Sequence, residues 1–150
     1  MILGGCTKDI TEFNTNPKTP EVVPAGMLYA NAQKDLVYYL ASPSVNVNTF
    51  RLWSQHWTQT TYVDESNYEL TERNINGEVY DRLYANVLRD LSEARLILEE
   101  DELVTAADAK VKMAMISLLE VYTYHVLVDI FNDVPYSSSN QLIDDLAPSY

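Results

Sequence analysis

Four glycines and six prolines in 150 residues exclude a linker or low-complexity tail. A single cysteine, Cys6, excludes an intramolecular disulfide. Positive charge is scarce: ten Lys and Arg stand against twenty-two Asp and Glu, a formal charge of −12. Such a surface repels phosphate backbones, and no basic patch with interleaved aromatics is present, so nucleic acid is excluded as a partner. The same charge argues against electrostatic docking on anionic lipid headgroups. Phosphate-loop, nucleophile-elbow and zinc motifs are all missing from the sequence, so neither a cofactor nor a metal is expected. Beyond the N-terminus, no stretch is expected to reach the apolar length that spans a bilayer.

What is present is an ordinary globular balance, 47% hydrophobic and 21% charged, in a chain long enough for one domain with a core. Eleven Tyr and two Trp are the compositional excess. The chain opens Met1-Ile2-Leu3-Gly4-Gly5-Cys6, with Leu three residues before Cys and small residues between. This resembles the lipobox of bacterial lipoproteins, which makes Cys6 the expected lipid-attachment residue. Acyl chains contribute about 0.8 kcal/mol per buried methylene, so two or three of them anchor durably. Only five residues precede Cys6, too few for the basic and apolar regions of a secretory signal, and a buried or merely N-terminal cysteine fits the same residues. Residues 1–24 therefore read as a lipobox-like start and an extended, polar, Pro-containing tether.

From residue 25 the pattern turns helical. Leu28, Ala32, Leu36 and Leu40 predict a helix from Ala25 to Ala41, ended by Ser42-Pro43-Ser44. Phe50, Trp53 and Trp57 predict a second helix over about 46–60. Tyr62 to Gly77 reads as irregular, closing with an Asn76-Gly77 turn. Tyr80, Leu83, Tyr84, Val87, Leu91, Ala94 and Leu98 predict a third helix from Gly77 to Glu100. Thr105 and Asp108 mark the start of a fourth, Ala106 to Phe131. Its apolar residues lie nearly all round between Met113 and Val128, so neighbours are expected on every side. No segment reads as a strand. The expected class is all-α, with tetratricopeptide-like helical hairpins, although no motif repeats at a fixed period.

Exposed rings beside amides suit carbohydrate capture, because aromatic faces stack on the apolar faces of sugars. Trp57, Tyr62 and Tyr68 are the candidates, with Gln55, Gln59 and Asn67 as polar company. The competing reading makes Trp53 and Trp57, four apart, core anchors of one helix. His125 and Asp129 could face a single metal or act as a base pair, but no further His or Cys completes a site. A core histidine is the simpler reading. Asp129 and Asp133 could pose as the carboxylates of a glycosidase, yet their place at a helix end suits bonding to the backbone of the turn around Pro135.

Several of these segments together resemble the SusD/RagB-like nutrient-binding lipoproteins. The family's opening Cys-x-x-Asp/Glu and Asn-x-Asn/Asp-Pro correspond to Cys6 to Asp9 and Asn14 to Pro17. Trp53-Ser54-Gln55-His56 with Tyr62, and Tyr80-x-x-x-Tyr84 with Leu88-x-Asp90-Leu91, look like its second and third helical regions. The most specific match is Asp129-Ile130-Phe131-Asn132-Asp133-Val134-Pro135-Tyr136-Ser137, where the family has Asp-x-x-Gly-Asp-Val-Pro-Tyr. Asn132 replaces Gly, and Asn also tolerates the left-handed conformation at a helix end. Asp129, Asp133, Pro135 and Tyr136 are thus identified with a structural motif of that family. The resemblance implies a tetratricopeptide-like scaffold with an irregular lobe, lipid-anchored at the cell surface on the outer membrane. It implies a SusC-like TonB-dependent transporter as partner, an oligosaccharide or peptide as ligand, no cofactor and no catalysis. It also implies that residues 25–150 are the N-terminal part of a longer helical domain. The fourth helix would then lack some of its cover, and the isolated chain is expected to self-associate or pack loosely. The rival classes are a helical interaction scaffold without a small-molecule ligand and a glycan-cleaving enzyme.

Overall fold

A computed structural model describes residues 23–139; Cys6 and most of the expected tether lie outside the described residues. Helix α1 forms over Ala25–Ala41, with the predicted bounds. Its turn-by-turn apolar residues Ala32, Leu36 and Tyr39 are buried, and Leu28 and Leu40 pack half-buried against the same core. Ser42 ends it in an extended conformation, as a residue before proline prefers. Burial pushes the Tyr39 hydroxyl up to about 12, against a smaller lowering by Arg82, so this tyrosine stays neutral in the core.

The central element runs without interruption over 75–100 but changes its winding on the way. It begins as α3 (Ile75–Asp81), widens into a π-helical segment (Arg82–Leu88) and continues as α4 (Arg89–Glu100). The sequence supplies a reason. Ile75, Val79, Leu83 and Val87 are all buried and four apart, a spacing that drifts round an α-helix by about 40° per step. The wider turn, in which the Arg89 amide donates to the Tyr84 carbonyl five residues back, resets the drift. Leu88, Leu91, Ala94 and Leu98 then continue the buried stripe. The Asn76-Gly77 pair is not a turn. Asn74 caps the helix, its side-chain oxygen accepting from the Gly77 amide at 3.2 Å, so both residues fall in the first helical turn.

Helix α5 spans Ala106–Phe131, again as predicted. Thr105 caps it by accepting from the Asp108 amide at 3.2 Å while its hydroxyl donates to the Asp108 carboxylate at 2.8 Å. Asp108 thus does the work of the Glu expected in a full capping box, but on the hydroxyl. The 75–100 helix lies between α1 and α5, which meet only at one edge. Helix α5 runs antiparallel to α4, as the short 101–105 link requires. Arg95 reaches Ser117 at 3.1 Å and Glu120 at 2.5 Å, while Tyr80 meets Phe131 further along. The described residues contain no strand, and the class is all-α.

Two expectations about α5 need correction. Neighbours do not surround it: Ile116, Thr123, Val126 and Leu127 are buried, but Val111, Met115, Leu118, Val121, Tyr122 and Val128 face outwards, Leu118 at 73% exposure. It is also, by length and composition alone, apolar enough to cross a membrane. The charges at Lys110, Lys112, Glu120 and Asp129 punctuate the run and hide that in the sequence.

Candidate functional site

Residues 42–74 leave the helical body as a long excursion, and polar contacts secure its base. The buried Asn48 donates to the Leu40 carbonyl at 2.8 Å and accepts from the Phe50 amide at 3.1 Å. This starts α2, which is a single turn, Phe50–Trp53, and not the predicted helix over 46–60. The helix stops because Gln55 turns left-handed at φ 58°. Phe50 stands edge-on to Tyr39 and to Trp53, at ring separations of 6.1 and 5.6 Å. Trp53 is therefore the core anchor, though its buried indole nitrogen has no hydrogen-bond partner among the described residues. Trp57 is not: it is 46% exposed, with the Arg51 guanidinium 5.0 Å above its ring.

Beyond Trp57 an internal scaffold holds the excursion. The Gln59 amide donates to Glu65 at 2.9 Å and accepts from both the amide and the hydroxyl of Ser66. Glu65 is 3% exposed and receives the Arg73 guanidinium at 2.5 Å; Arg73 also donates to the Asn46 carbonyl at 3.1 Å. Burial alone would raise the Glu65 carboxyl. Hydrogen bonds from Gln59, the Glu65 backbone and Arg73, with the Arg73 charge, together hold it below the usual carboxylate range. Gln59 thus braces the segment, with both ends of its side-chain amide engaged inside it.

On this scaffold the chain displays Tyr62, 84% exposed, and Tyr68, 54% exposed, both in the left-handed region at φ 54° and 61°. A left-handed residue with a side chain costs about 1–3 kcal/mol, and such strain gathers at functional sites. Of the four non-glycine residues with positive φ among the described residues, three (Gln55, Tyr62 and Tyr68) lie in this one segment. Tyr68 is oriented by its hydroxyl, which donates to the Trp53 carbonyl at 2.7 Å. The segment therefore presents Trp57, Tyr62 and Tyr68 outwards, with Gln55 and Asn67 exposed beside them.

The end of α5 differs from its sequence reading in two respects. His125 is 65% exposed and pairs with Asp129 at 3.5 Å, so it is no core histidine. No group of three or more metal-ligating side chains occurs among the described residues. Neither Asp129 nor Asp133 bonds the turn around Pro135. That turn is held instead by Tyr84, whose hydroxyl donates to the Pro135 carbonyl at 2.6 Å. Asn132 is the fourth residue with positive φ, but at φ 67° and ψ −92° its backbone is not the left-handed helical conformation that the sequence expected. Sequence reasoning missed the aromatic chain that follows: Tyr80 stacks on Tyr84, which meets Tyr124 edge-on, which in turn meets Tyr136.

Residues 17–150 match a SusD-like family described as starch-binding and associating with the outer membrane. No curated protein and no solved structure matches the chain. The family match takes in all the described helices and the excursion between α1 and α3, and the helical architecture agrees with what the motifs implied. The chain belongs to the SusD-like family of outer-membrane-associated starch-binding proteins.

Proposed function

We propose that this chain captures oligosaccharide at the cell surface and delivers it, without cleaving it, to a SusC-like TonB-dependent transporter. The observation that carries the reading is the strained, internally braced excursion that holds Trp57, Tyr62 and Tyr68 exposed. Rings carried on a backbone fixed before the ligand arrives lose less freedom on binding, and their faces suit the C–H faces of a glucan. In this reading Cys6 carries the lipid anchor, residues 1–24 are the tether, and α4 with α5 is one hairpin of a tetratricopeptide-like scaffold. Calorimetric titration with maltoheptaose tests it. Trp57→Ala and Tyr62→Ala are each expected to weaken binding at the excursion at least tenfold while leaving the helical circular dichroism intact. Unchanged affinity in both variants would remove the excursion from the ligand site. Binding of a peptide in place of the glucan would redirect the ligand class, and glucan cleavage would overturn the non-enzymatic part.

A second reading draws on the outward apolar face of α5, which suits a helical protein-interaction scaffold. Retention of the transporter by variants that have lost all glycan binding would favour it.

A further inference from the structure

The aromatic chain ends at a place that carbohydrate chemistry fits and that the excursion does not reach. Tyr136 follows the helix terminus, is 68% exposed, and has its ring centre 4.8 Å from that of Tyr124 at 75°. It borders two open clefts. One, of about 590 Å³, is lined by Tyr124, Val128, Asn132, Asp133, Val134 and Tyr136. The other, of about 250 Å³, lies between Tyr136 and the α4 side, with Ser92 and Glu120 in its lining. The larger falls within the range of about 300–1,000 Å³ typical of small-molecule sites.

The turn that carries Tyr136 is held in place before any ligand arrives. Tyr84 donates to the Pro135 carbonyl from the π-helical segment, a winding found disproportionately at functional sites. The Ser139 hydroxyl donates to the Tyr136 carbonyl at 2.9 Å and meets the Tyr124 hydroxyl at 2.5 Å. Burial pushes the Tyr124 hydroxyl up, so it remains protonated in this contact. The strained Asn132 and its neighbour Asp133 are exposed, and neither side chain makes a hydrogen bond to the described residues. An open ring with an uncommitted amide and carboxylate at its edge is the equipment for a sugar: the ring takes the C–H face, and the polar pair takes the hydroxyls.

We propose that this end of α5 is a second carbohydrate site, centred on Tyr136, with Asn132 and Asp133 binding hydroxyls of a neutral hexose. The sign of charge selects the class. Glu120 is neutralised by Arg95, but Asp133 leaves the site negative, so uronic or sulfated glycans are repelled. The choice of ligand rests on the carbohydrate reading above; the site itself rests on its own geometry.

Titration of the 150-residue chain with maltoheptaose separates the two. Wild-type protein is expected to bind two equivalents, Trp57→Ala to retain the Tyr136 site, and the double variant with Tyr136→Ala to bind none. Tyr136→Phe should keep at least a third of the affinity, because stacking needs the ring and not the hydroxyl. If Tyr136→Ala disturbs the helical signal, Asp133→Ala is expected to weaken the second site at least tenfold in a folded chain. A folded Tyr136→Ala or Asp133→Ala protein with the wild-type isotherm overturns the proposal and leaves the excursion's role standing. Full retention of binding by Trp57→Ala with loss in Tyr136→Ala does the reverse. No binding by wild type overturns both, and a preference for polygalacturonate overturns the charge argument.

Discussion

The helical body and the 42–74 excursion are held by opposite means. In the body, Leu36, Leu83, Leu91, Ile116 and Leu127 are each at most 1% exposed, and the favourable term is non-directional burial. In the excursion, Leu52 is the only large apolar side chain buried to that degree. Phe50 and Trp53 pack half-buried on the body; beyond them a carboxylate, a guanidinium and an amide hold the segment and offset strain at Gln55, Tyr62 and Tyr68. Apolar packing tolerates small displacements. A network centred on one buried charge does not, because each member left behind keeps its desolvation penalty. The display surface therefore depends on chemistry that can be broken without unfolding the body.

The largest contrast lies between two leucines of the body itself. Leu91 is 0% exposed and Leu118 is 73% exposed. Leu91→Ala is expected to lower unfolding free energy by about 2–5 kcal/mol. Leu118→Ala, measured at dilutions where the chain is monomeric, should stay within about 0.5 kcal/mol of wild type. Urea denaturation followed by far-ultraviolet dichroism measures both, and equal losses would show that α5 is covered in solution.

Next comes the excursion's own anchor. Glu65→Ala is expected to cost about 1–3 kcal/mol, felt locally. Both tryptophans of the chain, Trp53 and Trp57, lie in the excursion, so their fluorescence reports on it while helical dichroism reports on the body. The pH dependence follows from the sign of the shift. The Glu65 carboxyl is held below its ordinary value in the folded chain, so its contribution is complete above the usual carboxylate range and is lost as pH falls through the depressed value. Acidification into that window should move the tryptophan emission of wild type before the dichroism changes. Glu65→Ala should lack this early step, and an unaltered step would assign it to another group.

A third, smaller effect concerns the outward face of α5. Leu118→Glu is expected to weaken self-association of the chain at least tenfold, or about 1.4 kcal/mol, without lowering the melting temperature at dilutions where the wild type is monomeric. Sedimentation velocity measures it, and a monomeric wild type would refute the expected self-association.

The same division governs what the sequence reveals. Helices α1 and α5 were legible to the residue because apolar spacing, Pro43 and the Thr105 cap all point one way. The second helix was overdrawn because Phe50, Trp53 and Trp57 keep helical spacing, and nothing in Gln55 announces a left-handed backbone. Trp57, Tyr62 and Tyr68 were legible as a group because they are neighbours in the chain. Their strain was not, since tyrosine has no preference for positive φ. The contact of Tyr84 with Pro135 joins residues 51 apart, and no local pattern carries it. Without that contact the Asp129–Tyr136 motif reads as a helix stop and not as a braced turn.

The smallest test sits where the two regions join, at the start of α3. Replacing an exposed helical Gly by Ala ordinarily stabilises by about 1 kcal/mol. At Gly77 an added Cβ would lie 2.2 Å from the Asn74 side-chain nitrogen and 2.6 Å from its oxygen, so the cap must move. Loss of an Asn cap costs about 1 kcal/mol, which leaves Gly77→Ala close to neutral. The decisive quantity is the coupling. Asn74→Ala should cost about 1 kcal/mol in wild type and almost nothing in Gly77→Ala, because the cap has already been displaced there. Additive costs would mean that the cap survives beside the methyl group, and that packing, not Asn74, fixes where the excursion ends and the central helix begins.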